Sequence, residues 1–442
     1  MSNKLKPQQI RKQDNAHEKV ISEFNEIFCS APFTHIHIGP ETKATTCCKS
    51  RTPLGDIADS KIEDLYNDEF AKDIRKAMLE GRQHWQCKNC YRYENEAGQH
   101  AENRISSNYQ SQPYIQEIKD NVLPDGTLKS PTPTFVDILW TNKCNFACLG
   151  CTPELSTTIN NVYKEEFAII NGQTLDTYHP EITGEWQSGN EEKIRYVLKN
   201  ADKIKFIHMQ GGEPFLTTDI YDFMDAMIEA GVHKKISILA HTNGSISKNY
   251  KGKDLVKDYL SFWGGKAKIN LSIDGIEKRG EYIRYGFKND IWENTLKKML
   301  DSDINVGVSS RINVFNVATL DEFGSYVNRV KPLEPTGWQN CNLKAWFNDS
   351  MNISLIKIHE PTRKNTVDML NNMLKTKDHP VEWGSTIPKW INWLENDKMP
   401  TKKDITDLVK GIEAFDKKRK IQFDDTFPEL AEWKKCAIDL IN

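Results

Sequence analysis

An alternation of apolar and helical segments, beginning near residue 135, constrains the fold of this chain more than any other feature. Apolar segments rich in β-branched residues lie at 135–140, 204–209, 236–240, 267–273, 304–308 and, more weakly, 338–340. Segments with helical periodicity separate them, at 194–200, 218–230, 255–263, 292–300 and 320–330. This order is typical of βα units around a parallel sheet. Six units predict an α/β fold, a partial TIM-like (β/α)6 barrel, because the alternation spans about 205 residues and eight units need about 250.

The segments on either side lack this alternation. The amino-terminal part predicts a small cysteine-rich α+β module. It comprises a strand pair at 34–38 and 44–48, a helix at 62–79 and a turn at 87–90. Trp-rich helical segments broken by prolines follow residue 345, and their tryptophans favour core or lid packing over a stacking surface for nucleic acid. We therefore expect a polar segment at 1–27, the cysteine-rich module at 28–130, the barrel at 131–343 and a helical carboxyl-terminal extension at 344–442.

Charge and hydropathy exclude several classes of protein. The net charge of −3 over 442 residues provides no basic field that would favour nucleic acid or a membrane surface as a partner. No stretch of 18 apolar residues occurs, and the first 20 residues are polar, so we expect neither a membrane span nor a secretory signal. We expect a cytoplasmic protein.

Three of the ten cysteines form a loop directly after the first barrel strand, Cys144-Asn-Phe-Ala-Cys148-Leu-Gly-Cys151. In a chain without an export signal, cysteines favour metal ligation or catalysis over disulfides. Structural zinc sites and ordinary four-iron clusters use four protein ligands, whereas three leave one iron open for a substrate or cofactor. The spacing therefore predicts an open metal cluster at Cys144, Cys148 and Cys151.

Polar residues follow three more of the predicted strands. Gly211-Gly212-Glu213-Pro214 follows the second, Thr242-Asn243-Gly244 the third, and Ser272-Ile-Asp274-Gly the fourth. Ligands of barrels bind at the carboxyl ends of the strands. We therefore expect Asn243, Ser272 and Asp274 to lie at a ligand site.

Together these segments resemble the signatures of the radical S-adenosylmethionine (SAM) superfamily. The resemblance implies that a 4Fe-4S cluster on the three cysteines binds SAM and cleaves it reductively to a 5'-deoxyadenosyl radical, which abstracts a substrate hydrogen. It also implies that the Gly-Gly-Glu-Pro segment holds the SAM amino group, and that Ser272 and Arg284 contact its carboxylate. A ferredoxin, flavodoxin or reductase would supply the electron. The aromatic residue that commonly precedes the last loop cysteine is here Gly150, and Phe146 or Trp140 is expected to fill that space.

Five further cysteines, Cys29, Cys47, Cys48, Cys87 and Cys90, lie in the amino-terminal module. Their surroundings resemble the auxiliary-cluster modules called SPASM and twitch, which implies a second 4Fe-4S cluster, although such modules usually follow the barrel. Adjacent residues of a strand point to opposite faces, so Cys47 and Cys48 are not expected to share one cluster, and we favour Cys47. A four-cysteine zinc knuckle is the alternative. We expect His35 and His37 to be exposed or packed beside the module rather than ligands.

The resemblance favours a peptide or protein as the substrate. The alternatives are a carrier-bound sugar or a nucleotide, modified by the same chemistry, and a non-catalytic iron-sulfur or zinc binding module.

Overall fold

The computed structural model describes residues 12–39, 42–91, 102–162, 190–245, 249–330, 341–345, 353–380, 383–384, 386–396 and 399–442. The chain forms two compact units. The first comprises Met1–Trp140, Trp186–Gln210 and Asp222–Leu239, and the second comprises Thr141–Glu185, Gly211–Tyr221 and Ala240–Asn442.

The helices and strands of the amino-terminal half are α1 (Lys12–Glu23), α2 (Ala31–Thr34), β1 (His35–Ile38), β2 (Lys43–Thr45), β3 (Gly55–Asp56), α3 (Ile62–Tyr66), α4 (Glu69–Leu79), α5 (Glu102–Ser111), α6 (Ile115–Asn121), β4 (Phe135–Leu139), β5 (Ala147–Cys148), α7 (Asn190–Lys199), β6 (Phe206–Gln210) and α8 (Asp219–Glu229).

Those of the carboxyl-terminal half are β7 (Ser237–Thr242), β8 (Asn249–Tyr250), β9 (Lys253–Asp254), α9 (Ser261–Trp263), β10 (Ala267–Ser272), α10 (Glu277–Ile283), β11 (Arg284–Tyr285), α11 (Asn289–Leu300), β12 (Asn305–Ile312), α12 (Leu320–Val330), β13 (Cys341–Ala345), α13 (Glu360–Thr376), α14 (Ile387–Asn396), α15 (Lys402–Lys418), α16 (Phe423–Thr426) and α17 (Ala431–Ile441).

The sheet of the first unit joins the cysteine-rich module to the barrel strands. Its order is β3-β2-β1-β4-β6, with β7 running from this unit into the second. β1 pairs antiparallel with β2, as the predicted strand pair requires, and in parallel with β4, which the sequence did not indicate. β4 pairs in parallel with β6. The amino-terminal module therefore shares one sheet with the first barrel strands.

One face of this sheet is the hydrophobic core. Val136 and Ile138 of β4 and Ile207 and Met209 of β6 alternate with less buried residues and are at most 1% exposed. Helix α8 packs beside the end of β4, where the ring of its Phe223 lies 4.9 Å from that of Trp140. This period of two explains why the other face, which includes Asp137 and His208, is available for polar groups.

The helix predicted at 62–79 is two helices, α3 and α4, because the chain turns between them. Asp68 caps α4 by accepting a hydrogen bond from Ala71 N at 2.7 Å, as residues at this position commonly do. Behind the turn, the fully buried Arg75 donates to the carbonyls of Gly126, Pro32 and Tyr66. The buried guanidinium thus ties the segment around Gly126 to the helices.

In the second unit β10 pairs in parallel with β12, and β12 with β13. The weak strand predicted at 338–340 lies outside the described residues, and the sixth strand is β13. The carboxyl-terminal extension is helical, and its Trp383, Trp390 and Trp433 are at most 1% exposed. Trp433 donates its indole N–H to the carbonyl of Leu355 at 2.7 Å. The predicted α/β fold with a helical extension is confirmed, as is the core role of these tryptophans.

Among the described residues, no helix combines the length and apolar character that crossing a membrane requires.

Candidate functional site

The loop that carries Cys144, Cys148 and Cys151 begins five residues after β4 ends and leads through β5. All three thiols are half-buried, and Cys144 interacts electrostatically with the other two. Burial raises the pKa of Cys144 and Cys148, so both thiols are neutral when no metal holds them as thiolates. The structure therefore gathers the three predicted cluster ligands on one loop.

Hydrogen bonds to side chains fix the path of this loop. Thr158 Oγ1 donates to the carbonyl of Cys144 at 2.6 Å, and Ser156 Oγ donates to that of Phe146 at 2.8 Å. Asn243 Nδ2 donates to Asn145 Oδ1 at 2.9 Å, which connects the end of β7 to the loop. Asn243, predicted at the cofactor site, is thus a contact of the cysteine loop.

A two-strand ribbon holds the middle cysteine. β5 pairs antiparallel with β11, with Cys148 opposite Arg284. Arg284 Nη1 lies 3.8 Å from Cys148 Sγ, and its Nε donates to Asp274 Oδ2 at 2.8 Å. Asp274 Oδ1 accepts a second hydrogen bond from Arg311 N at 2.6 Å. Arg284 and Asp274 therefore form a buried ion pair against the cysteine loop, and the contact of Arg284 with a SAM carboxylate stays a prediction.

Ser272 is half-buried at the end of β10, opposite Ser309 of β12. Its predicted contact with SAM also stays a prediction.

The two glycines after β6 permit a close approach of two backbones. Gly212 N donates to the carbonyl of Thr141 at 2.7 Å, and Glu213 N donates to that of Lys143 at 2.8 Å. A Cβ on Gly211 would lie 2.4 Å from Thr141 O, and one on Gly212 would lie 2.4 Å from Lys143 O. Gly211 also has φ +152°. Only glycine fits at these positions, because a side chain would push this segment away from the start of the cysteine loop.

The Glu213 carboxylate is fully buried and crosslinks two strand ends. It accepts hydrogen bonds from Thr242 Oγ1 at 2.8 Å, Asn243 N at 2.7 Å and Phe215 N at 3.2 Å. Burial raises the pKa of Glu213 to about 7, although these hydrogen bonds oppose the shift. Glu213 thus supports the site as well as being the predicted partner of the SAM amino group.

The residue types and their arrangement fit a four-iron cluster with one open iron. Among the described residues, no group of three or more His, Cys, Asp or Glu converges as ligands of a single metal ion do. Three thiolates would each hold one iron of a four-iron cluster, and Arg284 beside Cys148 Sγ would suit the negative charge of such a cluster.

Several cysteines of the first unit also interact electrostatically with one another. The charges of Cys87, Cys47 and Cys90 all act on Cys29, whose pKa burial raises well above its ordinary value. Cys47 and Cys90 act likewise on Cys87, where burial raises the pKa to about 12. Cys29 and Cys87 therefore each interact electrostatically with both Cys47 and Cys90.

Side chains that the sequence did not single out hold these cysteines in place. Tyr91, next to Cys90, donates its hydroxyl to the carbonyl of Ile27 at 2.9 Å. Asn108 of α5 accepts from Ser30 N at 2.8 Å, next to Cys29. These contacts join segments more than 60 residues apart, so no local pattern could have revealed them.

Cys47 and Cys48 are not in a strand, contrary to the prediction, because β2 ends at Thr45 and a turn follows. The thiol of Cys47 accepts hydrogen bonds from the amides of Lys49 and Ser50. Cys48 is exposed, and its electrostatic neighbours are Asp137, Cys47 and Cys90. The amide contacts favour Cys47 as the ligand, since backbone N–H groups stabilise a thiolate.

A row of polar side chains crosses the same unit. His37, Asp137 and His208 are paired in register on β1, β4 and β6, and His208 Nδ1 lies 3.1 Å from Asp137 Oδ1. Burial alone would raise the pKa of Asp137, but His208 holds it below its ordinary value. His35 and His37 are 7% and 9% exposed, so they are packed rather than exposed. The sequence placed the histidines beside the module but did not indicate that β4 would bring Asp137 to them.

The two aromatic residues suggested for the space beside Gly150 are both buried. Phe146 is 2% exposed and packs against Gly286, and Trp140 is 1% exposed and packs against Phe223. Both side chains are used in the core.

Two family models match the chain. Residues 138–330 match the Radical SAM superfamily, and residues 29–91 match an iron-sulfur cluster-binding domain. The chain therefore contains one region that matches the Radical SAM superfamily and a second region that matches an iron-sulfur cluster-binding domain. These domains imply a 4Fe-4S cluster with SAM and an auxiliary iron-sulfur cluster.

Among curated proteins the chain is similar to GTP 3',8-cyclases. It is 25% identical to that of Staphylococcus carnosus (strain TM300) over 174 residues, which cover 39% of this chain and 43% of the relative. It is 27% identical to the enzyme of Campylobacter lari over 185 residues, which cover 41% of this chain and 44% of the relative. The chain thus spans less than half the length of these relatives.

Similar solved structures are native anSMEcpe with bound AdoMet and Streptococcus suis SuiB. The first is 12% identical with a TM-score of 0.35 and covers 55% of this chain and 60% of its own. The second is 14% identical with a TM-score of 0.34, and the match covers 72% of this chain and 64% of SuiB.

Proposed function

We propose that this protein is an enzyme that cleaves SAM reductively and modifies a peptide or protein substrate by hydrogen abstraction. The observation that carries the proposal is the three-cysteine loop, paired on one side with the Gly-Gly-Glu segment and on the other with Arg284. The cluster, when bound, would supply the electron that converts SAM to methionine and a 5'-deoxyadenosyl radical.

The residues of the chain have separable roles in this proposal. Cys144, Cys148 and Cys151 hold the cluster. The Gly211–Glu213 backbone, Ser272 and Arg284 bind the amino and carboxylate groups of SAM, because a guanidinium fork suits a carboxylate. Asp274 orients Arg284 through the ion pair at 2.8 Å, and Asn243 holds the loop through Asn145. Both are positioning residues.

The auxiliary cluster is proposed on Cys29, Cys47, Cys87 and Cys90. Its support is the match of residues 29–91 to an iron-sulfur cluster-binding domain and the electrostatic proximity of the four thiols. Auxiliary clusters can bind substrate or accept the electron that remains after hydrogen abstraction. We propose a peptide or protein substrate because this module resembles those of peptide- and sulfatase-maturing enzymes, and a ferredoxin- or flavodoxin-type donor as redox partner.

A nucleotide is the second candidate substrate class. Its support is the similarity to GTP 3',8-cyclases over 174 residues. Radical formation would be the same for either class.

The activity is tested by anaerobic reconstitution with iron and sulfide, followed by dithionite and SAM. We expect 5'-deoxyadenosine and methionine in equal amounts. Cys148→Ser should abolish both products, and Cys436→Ser is the matched control, because Cys436 lies on α17 and donates to the carbonyl of Ile358. Absence of 5'-deoxyadenosine from the fully loaded wild-type protein would contradict the proposal.

The substrate class is tested with the loaded enzyme, SAM, and either peptides encoded beside the gene or GTP. A mass change in a peptide, with extra 5'-deoxyadenosine above the basal level, supports the peptide proposal. Turnover of GTP without a change in any peptide would replace it with the nucleotide alternative.

A further inference from the structure

Arg419, the residue directly after α15, reaches the cysteine loop from the carboxyl-terminal extension. It is 4% exposed, although arginine is rarely buried without partners. Its Nη2 donates to the carbonyl of Ala147 at 2.9 Å, and its Nη1 donates to the carbonyl of Tyr282. Ala147 precedes Cys148, and Tyr282 lies two residues before Arg284. One guanidinium therefore connects β5 of the ribbon that holds Cys148 to the end of α10, which leads directly into β11.

Aromatic rings enclose this guanidinium. Its central carbon lies 4.6 Å from the ring centroid of Phe415, 4.9 Å from that of Tyr285 and 5.6 Å from that of Tyr282. Rings at these distances favour a cation and exclude water from it. The charge is consequently poorly screened, and its effect on nearby groups is larger than that of a surface arginine.

Contacts of residues 416–427 hold the carboxyl-terminal extension in place on both sides of Arg419. Asp416 Oδ1 accepts a hydrogen bond from the Tyr282 hydroxyl at 2.9 Å and from Phe423 N at 3.1 Å. The rings of Phe423 and Phe427 lie 6.1 and 5.2 Å from that of Tyr282. Helices α15 and α16 are thus docked on the segment that contains Tyr282, and Arg419 has little freedom to withdraw.

We propose that Arg419 is a positioning residue of the catalytic cluster: it clamps the Cys148 ribbon through two carbonyls and places a positive charge beside the cluster, which makes its one-electron reduction more favourable. The inference rests on the proposed assignment of Cys144, Cys148 and Cys151. The guanidinium of Arg419 donates to the carbonyl of Ala147, the residue next to Cys148, so its charge lies beside the cysteine loop. A cation stabilises the reduced cluster more than the oxidised one, because reduction adds a negative charge.

Two substitutions separate the clamp from the charge. Arg419→Lys keeps the charge but cannot bind two carbonyls with a planar fork, whereas Arg419→Met keeps much of the volume and removes the charge. Arg363→Met is the matched control, because Arg363 belongs to the same extension and pairs with Glu360 on the surface of α13.

The first measurement is the midpoint potential of the catalytic cluster in the full-length chain, titrated with dithionite and followed by its electron paramagnetic resonance signal. The chain carries Cys87→Ala and Cys90→Ala so that one cluster is observed. We expect a lower potential in Arg419→Met and a nearly unchanged one in Arg419→Lys and Arg363→Met. An unchanged potential in Arg419→Met with full iron loading would overturn the role of the charge.

The second measurement is hydrogen exchange in the apoprotein, which depends on neither cluster nor turnover. Leu149 N donates to the carbonyl of Ile283 at 2.8 Å within the clamped ribbon. We expect exchange at Leu149 to be about tenfold faster in both Arg419 variants and unchanged in Arg363→Met. Equal exchange rates at Leu149 in Arg419→Lys, Arg419→Met and Arg363→Met would overturn the proposal that Arg419 clamps the ribbon. Failure of wild-type protein to form 5'-deoxyadenosine would instead contradict the proposed function while leaving the exchange result valid.

Discussion

Asp274 and Arg284 form a single charge pair at the proposed cofactor site. Their side chains are 6% and 13% exposed, and Arg284 faces both Asp274 and Cys148. A buried pair of this kind adds little net stability compared with apolar residues, but removing one partner leaves a buried charge unpaired.

We expect Asp274→Asn to lower the free energy of unfolding of the apoprotein by about 3–5 kcal/mol, because Arg284 then lacks its carboxylate. Urea denaturation measures this change. Asp301→Asn, at an exposed position after α11, should change it by less than about 0.5 kcal/mol. Equal effects of the two substitutions would show that the ion pair is dispensable.

Glu213 should give the apoprotein a characteristic pH dependence. Its pKa is raised by burial from 4.5 to about 7, so the folded chain favours the protonated carboxyl. Its contribution to stability is complete below about pH 4.5 and is lost as the pH rises through 7, to the extent of about 3 kcal/mol. Gln mimics the protonated form, so Glu213→Gln should flatten the stability profile between pH 5 and 8. Parallel profiles for the two proteins would refute this explanation.

At the scale of the element, the segment after β6 acts through its backbone. Gly212→Ala places a methyl group 2.4 Å from Lys143 O, whereas a Cβ on Gly265 meets only Asn305 Nδ2 at 3.8 Å. We expect Gly212→Ala to lower the free energy of unfolding by about 2 kcal/mol and to reduce iron loading at the three-cysteine loop. Thermal unfolding and iron analysis measure both effects. Gly265→Ala is the control, and a similar loss there would indicate that the backbone contact is unimportant.

The turn after β2 offers a matched pair of cysteines. The thiol of Cys47 accepts hydrogen bonds from two backbone amides and interacts electrostatically with Cys29 and Cys87, whereas Cys48 is exposed. We expect Cys47→Ser to remove about four irons per chain and Cys48→Ser to remove none. Loss of iron in Cys48→Ser alone would reverse the assignment.

The elements that the sequence predicted best are those encoded by neighbouring residues. The alternation of apolar and helical segments identified β4, β6, β7, β10 and β12 to within a few residues. The parallel pairing of β1 with β4 was missed, because it joins residues about 100 positions apart and either strand could pair elsewhere. The break between α3 and α4 was missed because the apolar period continues through it, while Asp68 supplies a cap within it.

For the whole molecule, the cysteine sets divide between the two units. Cys144, Cys148 and Cys151 belong to the second unit, and Cys29, Cys47, Cys87 and Cys90 belong to the first. The spacing of the three-cysteine loop predicts that set as cluster ligands, and this assignment stays a prediction. The loop lies within residues 138–330, which match the Radical SAM superfamily. Arg419 was not predictable, since its contact with Ala147 joins residues 272 positions apart and no pattern around Arg419 indicates it.

The central claim, that two separate sets of cysteines hold two clusters, is tested most directly by the iron content of three reconstituted proteins. We predict about eight irons per wild-type chain, and about four when either Cys144, Cys148 and Cys151 or Cys29, Cys47, Cys87 and Cys90 are replaced by alanine. About four irons with one zinc in the wild-type chain, or loss of all iron in either variant, would contradict the account.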